Sequence, residues 1–311
     1  MRKSALRGRA LAVYIFLCAV WGSTWLVIRV GVRDLPPLWF AAMRMGLACL
    51  LLTPLAWRQS AASPTKREWG AVAWSGLLQI GISYAAVFLA AERIESSLSA
   101  LLFGSFPIWA GLFAHRLLPE EPWTRWTAAA ALIGVAGVGV IEAPAAARAL
   151  RGDAGPLFVG GLLVLSSAFI SGYANVLVKK RLGRVPPVLN VWGQTLVGSV
   201  FLLSVALLFE RGAPLRWSAS SVVSLAYLSV LGTAVAFVAL FWLVPRVPVA
   251  VIGSIPLVDT LIAVLLGAIV LGETLSARIL AGGAMIVGGV LLATRAAPAR
   301  KTTDDAPPKS L

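Results

Sequence analysis

The sequence predicts an all-α polytopic membrane protein with ten transmembrane helices arranged as two inverted five-helix repeats. Of its 311 residues, 59% are hydrophobic and 13% are charged, whereas soluble proteins carry about 25% charged residues. The apolar residues fall in runs of about 18–25 residues, the length at which a helix crosses a bilayer. One stretch of the first half also recurs in the second half. Together these features indicate a membrane protein built from two related halves.

Each predicted helix is a continuous apolar run bounded by short connections that contain Pro, Gly or charged residues. The ten predicted spans are 10–31, 38–57, 69–90, 97–117, 124–141, 156–178, 188–209, 219–243, 248–271 and 277–294. Residues that break helices in the predicted connections include Pro36, Ser63, Pro64, Pro144, Pro186 and Pro245. Small residues within unbroken apolar runs favour helices over the alternating pattern of a β-barrel.

The recurring stretch occupies residues 22–37 and again residues 172–187, at an offset of 150 residues. Each copy ends a long apolar run, leaves it through a basic residue and turns at a pair of prolines. Arg29 in the first copy aligns with Lys179 in the second. A weak internal repeat of this length in an apolar chain is typical of a transporter with two halves.

The distribution of Lys and Arg predicts that both termini lie in the cytoplasm. With that orientation, 18 basic residues face the cytoplasm and 8 face the opposite side, with Arg44 inside a span, as the positive-inside rule requires. The basic N-terminus leads into an apolar run that contains Trp21 and Trp25 and lacks a cleavage site, so we expect an uncleaved first span. Five crossings per half make the second half enter the membrane from the opposite side, so the repeats would be inverted.

The chain therefore divides into a first repeat at 10–141, a second repeat at 156–294 and a polar tail at 295–311, which we expect to be disordered in the cytoplasm. An offset of 153 residues aligns the closing segments of the halves, with Glu120 opposite Glu273. A helix rich in Gly and Ala follows each of these acidic residues, and such faces let membrane helices approach closely. We expect these two helices to pack rather than line a pore, and they could also support a homodimer.

Several motifs occur in a fixed order along the chain. Trp21-Gly22-Ser23-Thr24 lies in the first span, Leu35-Pro36-Pro37 precedes the second, Pro107 lies in the fourth, and Leu271-Gly272-Glu273 precedes a Gly-rich helix. This ordered set, across about residues 10–294, resembles the EamA family of the drug/metabolite transporter superfamily. The resemblance implies a bacterial inner-membrane carrier that exports small metabolites, often amino acids or drugs, without ATP. Family members commonly carry Glu-Pro in the ninth span, where this sequence has Asp259-Thr260 and, three residues earlier, Pro256.

No motif for catalysis or nucleotide binding occurs in the sequence. It lacks His-Glu-x-x-His, Gly-x-Ser-x-Gly and Walker-type phosphate loops, so we expect no enzyme activity. Cys18 and Cys49 lie in apolar spans and the single His115 cannot build a histidine-ligated centre, so we expect no metal and no cofactor. The net charge of +14 resides mostly in short connections between spans, which indicates membrane orientation rather than nucleic-acid binding.

Two ionisable side chains lie well inside the predicted spans, where each is costly unless it faces protein or water. Arg44 lies in the second span and Asp259 lies near the middle of the ninth. They could pair with each other, or they could face one cavity and bind the carboxylate and the ammonium group of a zwitterionic amino acid. Arg44 could alternatively extend to the outer headgroups. Asp259 could instead form a structural hydrogen bond or carry a coupling proton.

Polar and aromatic side chains at similar depths complete the predicted substrate cavity between the halves. They are Trp21, Tyr84, Trp109, Tyr173, Asn175, Trp192 and Gln194. Gln194 aligns with Arg44 at the offset of 150, so the two halves would present unlike polar groups at equivalent places. An amide that faces lipid is unfavourable, which favours cavity positions for Asn175 and Gln194. Lone hydroxyls such as Ser167 and Thr233 are interpreted as helix-packing groups.

The duplication, the few polar groups inside the spans and the absence of nucleotide motifs favour a secondary transporter. The family resemblance implies that it exports small metabolites, amino acids or related compounds, from the cytoplasm across the bacterial inner membrane. Its partners would be the lipid bilayer and a small-molecule substrate. A multidrug exporter of the same superfamily is an alternative, since Asp259 and several Trp residues could form an apolar pocket with an acid. An alternative from another class is a membrane-embedded enzyme acting on lipid-linked substrates. Resistance profiles would identify the first alternative, and activity on lipid substrates without flux in liposomes would identify the second.

Overall fold

The computed structural model describes residues 2–59, 64–118, 125–151, 155–243 and 255–296. Helices account for most of these residues, and no strand forms within them. Helical segments are numbered α1 to α10 in chain order, and each number includes any internal π-helical segment or short break. They are α1 (Arg2–Gly31), α2 (Pro37–Arg58), α3 (Lys66–Gly76, Leu77–Ile82 and Ser83–Ala91), α4 (Ser96–Phe103 and Phe106–Leu117), α5 (Arg125–Leu150), α6 (Pro156–Arg181), α7 (Pro187–Phe209), α8 (Ala219–Ser229, Val230–Val235 and Ala236–Leu243), α9 (Ile255–Leu271) and α10 (Ala277–Ala296).

Among the described residues, seven helices are long and apolar enough to cross a membrane. They belong to α1, α2, α3, α4, α6, α7 and α8. The other three segments, α5, α9 and α10, carry shorter apolar stretches at Leu132–Ile141, Val258–Leu271 and Ala277–Gly289. The ten crossings expected from the sequence therefore remain a prediction.

Proline marks several helix starts where the sequence predicts them. α2 begins at Pro37, α6 at Pro156 and α7 at Pro187, because a first helical residue needs no backbone N–H. The prediction that Pro144 lies in a connection after the fifth helix was wrong. Pro144 lies inside α5, which continues to Leu150. A membrane helix tolerates an internal proline because neighbouring groups can satisfy the freed backbone carbonyl.

Some sequence-based predictions concern residues outside the described ranges. Ser63, Glu120 and Pro245 lie there, together with residues 248–254 at the start of the predicted ninth span. The predicted tail also lies outside them from residue 297 onward.

The two halves interleave through helix pairs. α1 of the first half packs against α9 of the second, and α6 of the second half packs against α4 of the first. α2 packs along α7, and α5 packs along α10. A Cβ atom built on Gly137 of α5 would lie 2.6 Å from the carbonyl oxygen of Gly282 in α10. The predicted packing of the two Gly/Ala-rich helices is therefore confirmed.

The α1–α9 and α6–α4 contacts occur at equivalent positions of the aligned halves. A Cβ atom on Gly22 would lie 2.7 Å from the Cβ atom of Ile262. A Cβ atom on Gly172 would lie 2.9 Å from the amide nitrogen of Ala110 and 3.0 Å from the Cβ atom of Trp109. Gly22 aligns with Gly172 at the offset of 150, and Trp109 aligns with Ile262 at the offset of 153. Both crossings need glycine, because a side chain would push the helices apart.

The backbone has the same irregularity in both halves. A π-helical segment interrupts α3 at Leu77–Ile82 and α8 at Val230–Val235. Each segment has 6 residues, and the second begins 153 residues after the first. Such π segments are rare and are frequently found at functional sites. Both segments are therefore candidate positions for substrate contacts.

Replacing Gly22 or Gly172 with Ala should destabilise the protein by about 1–3 kcal/mol, because the added methyl group overpacks a helix crossing. The thermal unfolding midpoint of the purified protein in detergent measures this effect. Gly46→Ala and Gly111→Ala are matched controls, since a Cβ atom at either position meets no atom within 4 Å. Each control should keep or raise the midpoint, because Ala favours helix over Gly. Crossing variants as stable as these controls would contradict the prediction.

Candidate functional site

Arg44 of α2 lies in the interior of the bundle, with 1% of its surface exposed. Its Nε atom donates a hydrogen bond to the hydroxyl of Thr233 at 3.2 Å. Its guanidinium carbon lies 5.2 Å from the ring centre of Tyr84 and 5.9 Å from that of Phe88, within the range of cation–π attraction. Its Nη1 atom is buried and has no hydrogen-bond partner among the described residues. Leaving a buried donor unpaired costs about 1–3 kcal/mol, so Nη1 is a candidate group for binding a ligand.

The π segment of α8 forms one wall around Arg44. Thr233 in this segment accepts the hydrogen bond from Arg44. The preceding residue, Gly232, accepts a hydrogen bond at its carbonyl from the indole nitrogen of Trp21 at 3.3 Å. The structure thus brings three predicted site residues, Trp21, Arg44 and Tyr84, to one region between α1, α2, α3 and α8.

Asp259 lies on α9 at its crossing with α1. A Cβ atom on Gly22 would lie 2.9 Å from the carbonyl oxygen of Asp259. The carboxylate of Asp259, which is half-buried, lies 3.5 Å from the hydroxyl of Thr260. Neither Arg44 nor Asp259 belongs to an ion pair within the described ranges. The pairing alternative therefore does not hold in this structure, and the burial of Arg44 is incompatible with its extension to the outer headgroups.

A second polar cluster joins α3 to α6. The hydroxyl of Ser83 shares hydrogen bonds with those of Ser167 at 2.6 Å and Ser171 at 2.8 Å. Gln79, in the π segment of α3, donates to the hydroxyl of Ser171 at 3.3 Å. The amide nitrogen of the predicted site residue Asn175 donates to the side-chain oxygen of Gln79 at 3.0 Å. Asn175 thus belongs to a polar network between helices, in which Ser167 has the packing role expected of it.

Two other predicted site residues, Trp109 and Tyr173, lie in an aromatic cluster between α4 and α6. The ring centres of Trp109 and Phe169 are 5.4 Å apart, and those of Phe113 and Tyr173 are 5.3 Å apart. Phe113 and Phe169 connect the two pairs at 5.0 Å. Aromatic pairs at these separations stabilise packing, so the structure groups these two residues with each other at this crossing.

The last two predicted site residues, Trp192 and Gln194, lie on α7. The indole nitrogen of Trp192 donates to the hydroxyl of Thr53 on α2 at 3.1 Å. Gln194 is buried, and its amide nitrogen donates to the side-chain oxygen of Asn190 at 2.8 Å. The amide of Gln194 therefore has a partner on its own helix, unlike the Nη1 atom of Arg44.

Sequence reasoning missed three residues that surround Arg44. They are Phe88, Gly232 and Thr233, of which Thr233 was interpreted only as a packing group. The alignment of the halves contains a signal that could have found the last two. At the offset of 153, Gly232 and Thr233 occupy the positions of Gln79 and Ile80, so the halves differ within the π segments.

The described part of the chain holds no candidate metal site. No group of three or more His, Cys, Asp or Glu side chains there is arranged to bind a metal ion. Cys18 and Cys49 are buried and do not form a disulfide. The described groups around Arg44 offer hydrogen bonding, the charge of the guanidinium and contact with aromatic rings.

Acidic side chains join the halves at the end of the bundle that the sequence predicts to be external. Glu210 accepts hydrogen bonds from two backbone N–H groups at the start of α2, at 2.9 and 3.0 Å. Glu273 accepts from two at the start of α4, at 2.8 and 2.9 Å. Asp34 accepts hydrogen bonds from Ser218 and Ser220. Helix starts have unpaired N–H groups that favour negative charge, so these contacts fasten the halves together at this end.

Glu273 reaches α4 because Gly272 adopts a φ of +66° and turns the chain back after α9. Burial raises the pKa of Glu273, but hydrogen bonds from Ser97 and Ser96 together lower it, and the net pKa lies below the usual range of glutamate. A depressed pKa means that these bonds stabilise the folded protein while the carboxylate is ionised.

Both halves of the chain match one family model. The model of the EamA-like transporter family matches residues 9–142 and again residues 158–295. The chain belongs to the EamA-like transporter family. This membership agrees with the apolar helices of the bundle, and it makes the protein a multi-pass membrane transporter.

Relatives named as transporters cover nearly all of this EamA-family chain. The uncharacterized transporter YvbV of Bacillus subtilis (strain 168) is 28% identical over 300 residues, which is 96% of each chain. The uncharacterized inner membrane transporter YedA of Escherichia coli (strain K12) is 27% identical over 93% of this chain and 90% of its own. A protein of Streptantibioticus cattleyicolor with the name "Probable terminal-alkyne amino-acid exporter" is 25% identical over 96% of this chain and 98% of its own. The expected class, a membrane transporter, is therefore confirmed.

One solved crystal structure has a similar fold. It aligns with a TM-score of 0.65 and 20% sequence identity, and it covers 93% of this chain and 98% of its own. At this identity the likeness supports the fold alone.

Replacing Glu273 with Gln should lower the free energy of unfolding by about 1–3 kcal/mol, because a neutral amide accepts hydrogen bonds more weakly than a carboxylate. Since the folded pKa is depressed, the stabilisation is fully present above the ordinary glutamate pKa of about 4.3. It is lost as pH falls through the lower folded value. Thermal unfolding of the wild type and the variant should be measured from neutral to acidic pH. The difference between their unfolding midpoints should shrink as the pH falls.

Glu92→Gln is the matched control for this measurement. The side chain of Glu92 is 41% exposed and pairs with Arg93 at 3.7 Å, an arrangement that contributes about 0–1 kcal/mol. The helix-capping role of Glu273 would be refuted if the two substitutions destabilised the protein equally. It would also be refuted if the difference in midpoint between the wild type and Glu273→Gln did not change with pH.

Proposed function

We propose that this EamA-family protein is a secondary transporter that exports amino acids or related small metabolites across the bacterial inner membrane. The observation that carries the proposal is the buried Nη1 atom of Arg44, which has no partner among the described residues and suits a carboxylate. A relative at 25% identity named as a probable amino-acid exporter supports the substrate class. The family match in both halves supports a carrier of the two-repeat type.

A zwitterionic substrate would supply an opposite charge to Arg44 and to Asp259, neither of which belongs to an ion pair among the described residues. Arg44 would bind the carboxylate bidentately, and Asp259 would bind the ammonium group. Trp21 connects the two regions, since its indole bonds to Gly232 in the wall around Arg44 and its neighbour Gly22 contacts the backbone of Asp259. Because Arg44 is covered in this structure, the substrate would reach it when the surrounding helices move, as alternating access requires. A coupling proton on Asp259 would serve the same transport cycle.

We propose the architecture expected from the sequence: inverted repeats at 10–141 and 156–294, ten crossings and both termini in the cytoplasm. The π segments and the glycine crossings at Gly22 and Gly172 lie at equivalent positions of the two halves. This equivalence supports two structurally related repeats. The two family matches begin and end close to the proposed bounds. Packing of α5 against α10 supports a peripheral place for these helices, whose outer faces could also form a homodimer.

A multidrug exporter is the second candidate, and one observation favours it. An apolar groove of about 450 Å³ lies between α2, α7 and α8 and is lined by residues such as Met43, Leu47 and Leu203. A drug with a large apolar part would fit such a groove. Drug resistance without release of amino acids would favour this candidate. The alternative of a lipid-modifying enzyme gains no support from the relatives, because their names are those of transporters.

Arg44→Gln and Asp259→Asn should each reduce export about tenfold or more, because each removes a charge that binds substrate. Cells that produce the wild-type protein should release an amino acid or derivative that cells without the gene retain, as measured by mass spectrometry of the medium. Each variant should lose this release while remaining folded in the membrane. The double variant should stay inactive and should not regain stability, since the two charges do not pair in this structure.

Arg33→Gln, which removes an exposed arginine of a connection, is the control and should export like the wild type. Wild-type release by both site variants across the tested pH range would remove Arg44 and Asp259 from the substrate site.

Reporter fusions should place the connections after Pro64 and Arg181 in the cytoplasm and those after Arg151 and Pro214 outside. The reason is the distribution of basic residues, 18 against 8, together with an odd number of crossings per half. An external signal after Arg181 would mean that the two halves run parallel, which would overturn the inverted-repeat proposal.

A further inference from the structure

Groups from α3 and α8 hold Arg44 in one orientation. Its Nε atom is engaged by the hydroxyl of Thr233 at 3.2 Å. Its guanidinium carbon lies 5.2 Å from the ring centre of Tyr84 and 5.9 Å from that of Phe88. Among the described residues no group accepts a hydrogen bond from the buried Nη1 atom. The Nε–H donor of the guanidinium is therefore used, whereas the Nη1 donor is available to a ligand.

The hydroxyl of Thr233 acts as an acceptor toward Arg44. Its own proton is donated to the carbonyl oxygen of Leu228, five residues earlier, at 3.0 Å. The wider register of a π segment brings a residue back over the carbonyl five positions before it. Because that proton is already used, the oxygen can accept the Nε–H of Arg44. The π segment thus orients Thr233, and Thr233 in turn orients Arg44.

Gly232 keeps space beside the other terminal nitrogen of Arg44. A Cβ atom at this position would lie 3.4 Å from Nη2 of Arg44 and 3.7 Å from the hydroxyl oxygen of Thr24. An oxygen that accepts a hydrogen bond from Nη2 must come within about 2.7–3.2 Å of it. A methyl group at position 232 would compete with such an oxygen for the same volume.

We infer that Thr233 and Gly232 are positioning residues that direct the Nη1 and Nη2 atoms of Arg44 toward a planar carboxylate. With Nε occupied, the bidentate arrangement left to a carboxylate uses the two terminal nitrogens. The inference rests on the proposed function and deepens it, because it assigns the site to substrates with a free carboxylate. An amide of the same amino acid lacks the charge and the second equivalent oxygen, so it binds poorly.

A role for Thr233 in stability alone gives a different expectation. It predicts less folded protein after substitution, with no change in the concentration of substrate that half-saturates the protein that remains. A positioning role predicts that this concentration rises while the maximal rate is retained. The two roles therefore separate in a measurement of saturation rather than of activity at one concentration.

Counterflow in proteoliposomes containing the full-length protein tests the inference. The probe is a radiolabelled mixture of amino acids, and the competitors are the same unlabelled mixture or the corresponding α-amides. Thr233→Val removes the hydroxyl at nearly constant volume and should raise the half-saturating concentration about tenfold or more, with little change in maximal rate. Thr233→Ser should restore the wild-type value. Gly232→Ala should raise it, and the wild type should prefer free acids to amides.

Two substitutions serve as matched controls. Thr195→Val removes a buried hydroxyl that bonds to the carbonyls of Val191 and Trp192 on its own helix. Gly46→Ala adds a methyl group two residues from Arg44, where it meets no atom within 4 Å. Both variants should keep the wild-type half-saturating concentration.

Failure of the inference and failure of the proposed function give different results. No counterflow of the amino-acid mixture by the wild type would overturn the proposed function and the inference with it. Wild-type counterflow with unchanged saturation in Thr233→Val and Gly232→Ala would overturn the positioning role alone, as would a Thr233→Ser variant that behaves like Thr233→Val. If Thr233→Val yields no folded protein, Gly232→Ala decides: a raised half-saturating concentration supports the inference and an unchanged one overturns it.

Discussion

The rest of the bundle depends on two close helix crossings, each with a glycine on one of the two helices. At Gly22 and at Gly172, the first helix of one half meets a late helix of the other half almost backbone to backbone. Helices in lipid gain little from the hydrophobic effect, so close packing and hydrogen bonds between them hold a membrane bundle together. The crossing at Gly22 fixes α1 against α9, and it thereby sets the positions of Trp21 and Asp259 relative to Arg44.

Carboxylates join the halves at one end of the described bundle. Glu210, Glu273 and Asp34 bond across the halves at the end predicted to be external. Near the other end, α3 meets the end of α6 and the connection after it through an apolar cluster. Water can replace a hydrogen bond to a carboxylate at modest net cost, but it cannot replace apolar packing. The two ends of the described bundle are therefore held by different kinds of contact.

The sequence predicted the fold better than the site, because the two depend on different distances along the chain. Apolar run length and paired prolines are local properties and located most helix ends, while Pro144 was misassigned because its neighbours decide whether a helix tolerates it. Asn175 and Gln194 were recognised as amides that need partners, but their partners depend on packing. The bond between Arg44 and Thr233 joins residues 189 positions apart, and it depends on a π segment that no local pattern in the sequence announces.

The candidate site around Arg44 lies where the sequences of the two halves differ. Within the π segment of α3, Gln79 fills its place with a side chain that bonds to α6. The aligned residue of α8 is Gly232, which leaves that volume free, and Arg44 approaches it. The counterpart of Arg44 at the offset of 150 is Gln194, whose amide bonds to its own helix. Two identical halves would carry two equal polar positions. Here the position of Gln194 has its hydrogen bond within α7, whereas Nη1 of Arg44 is a buried donor with no partner among the described residues.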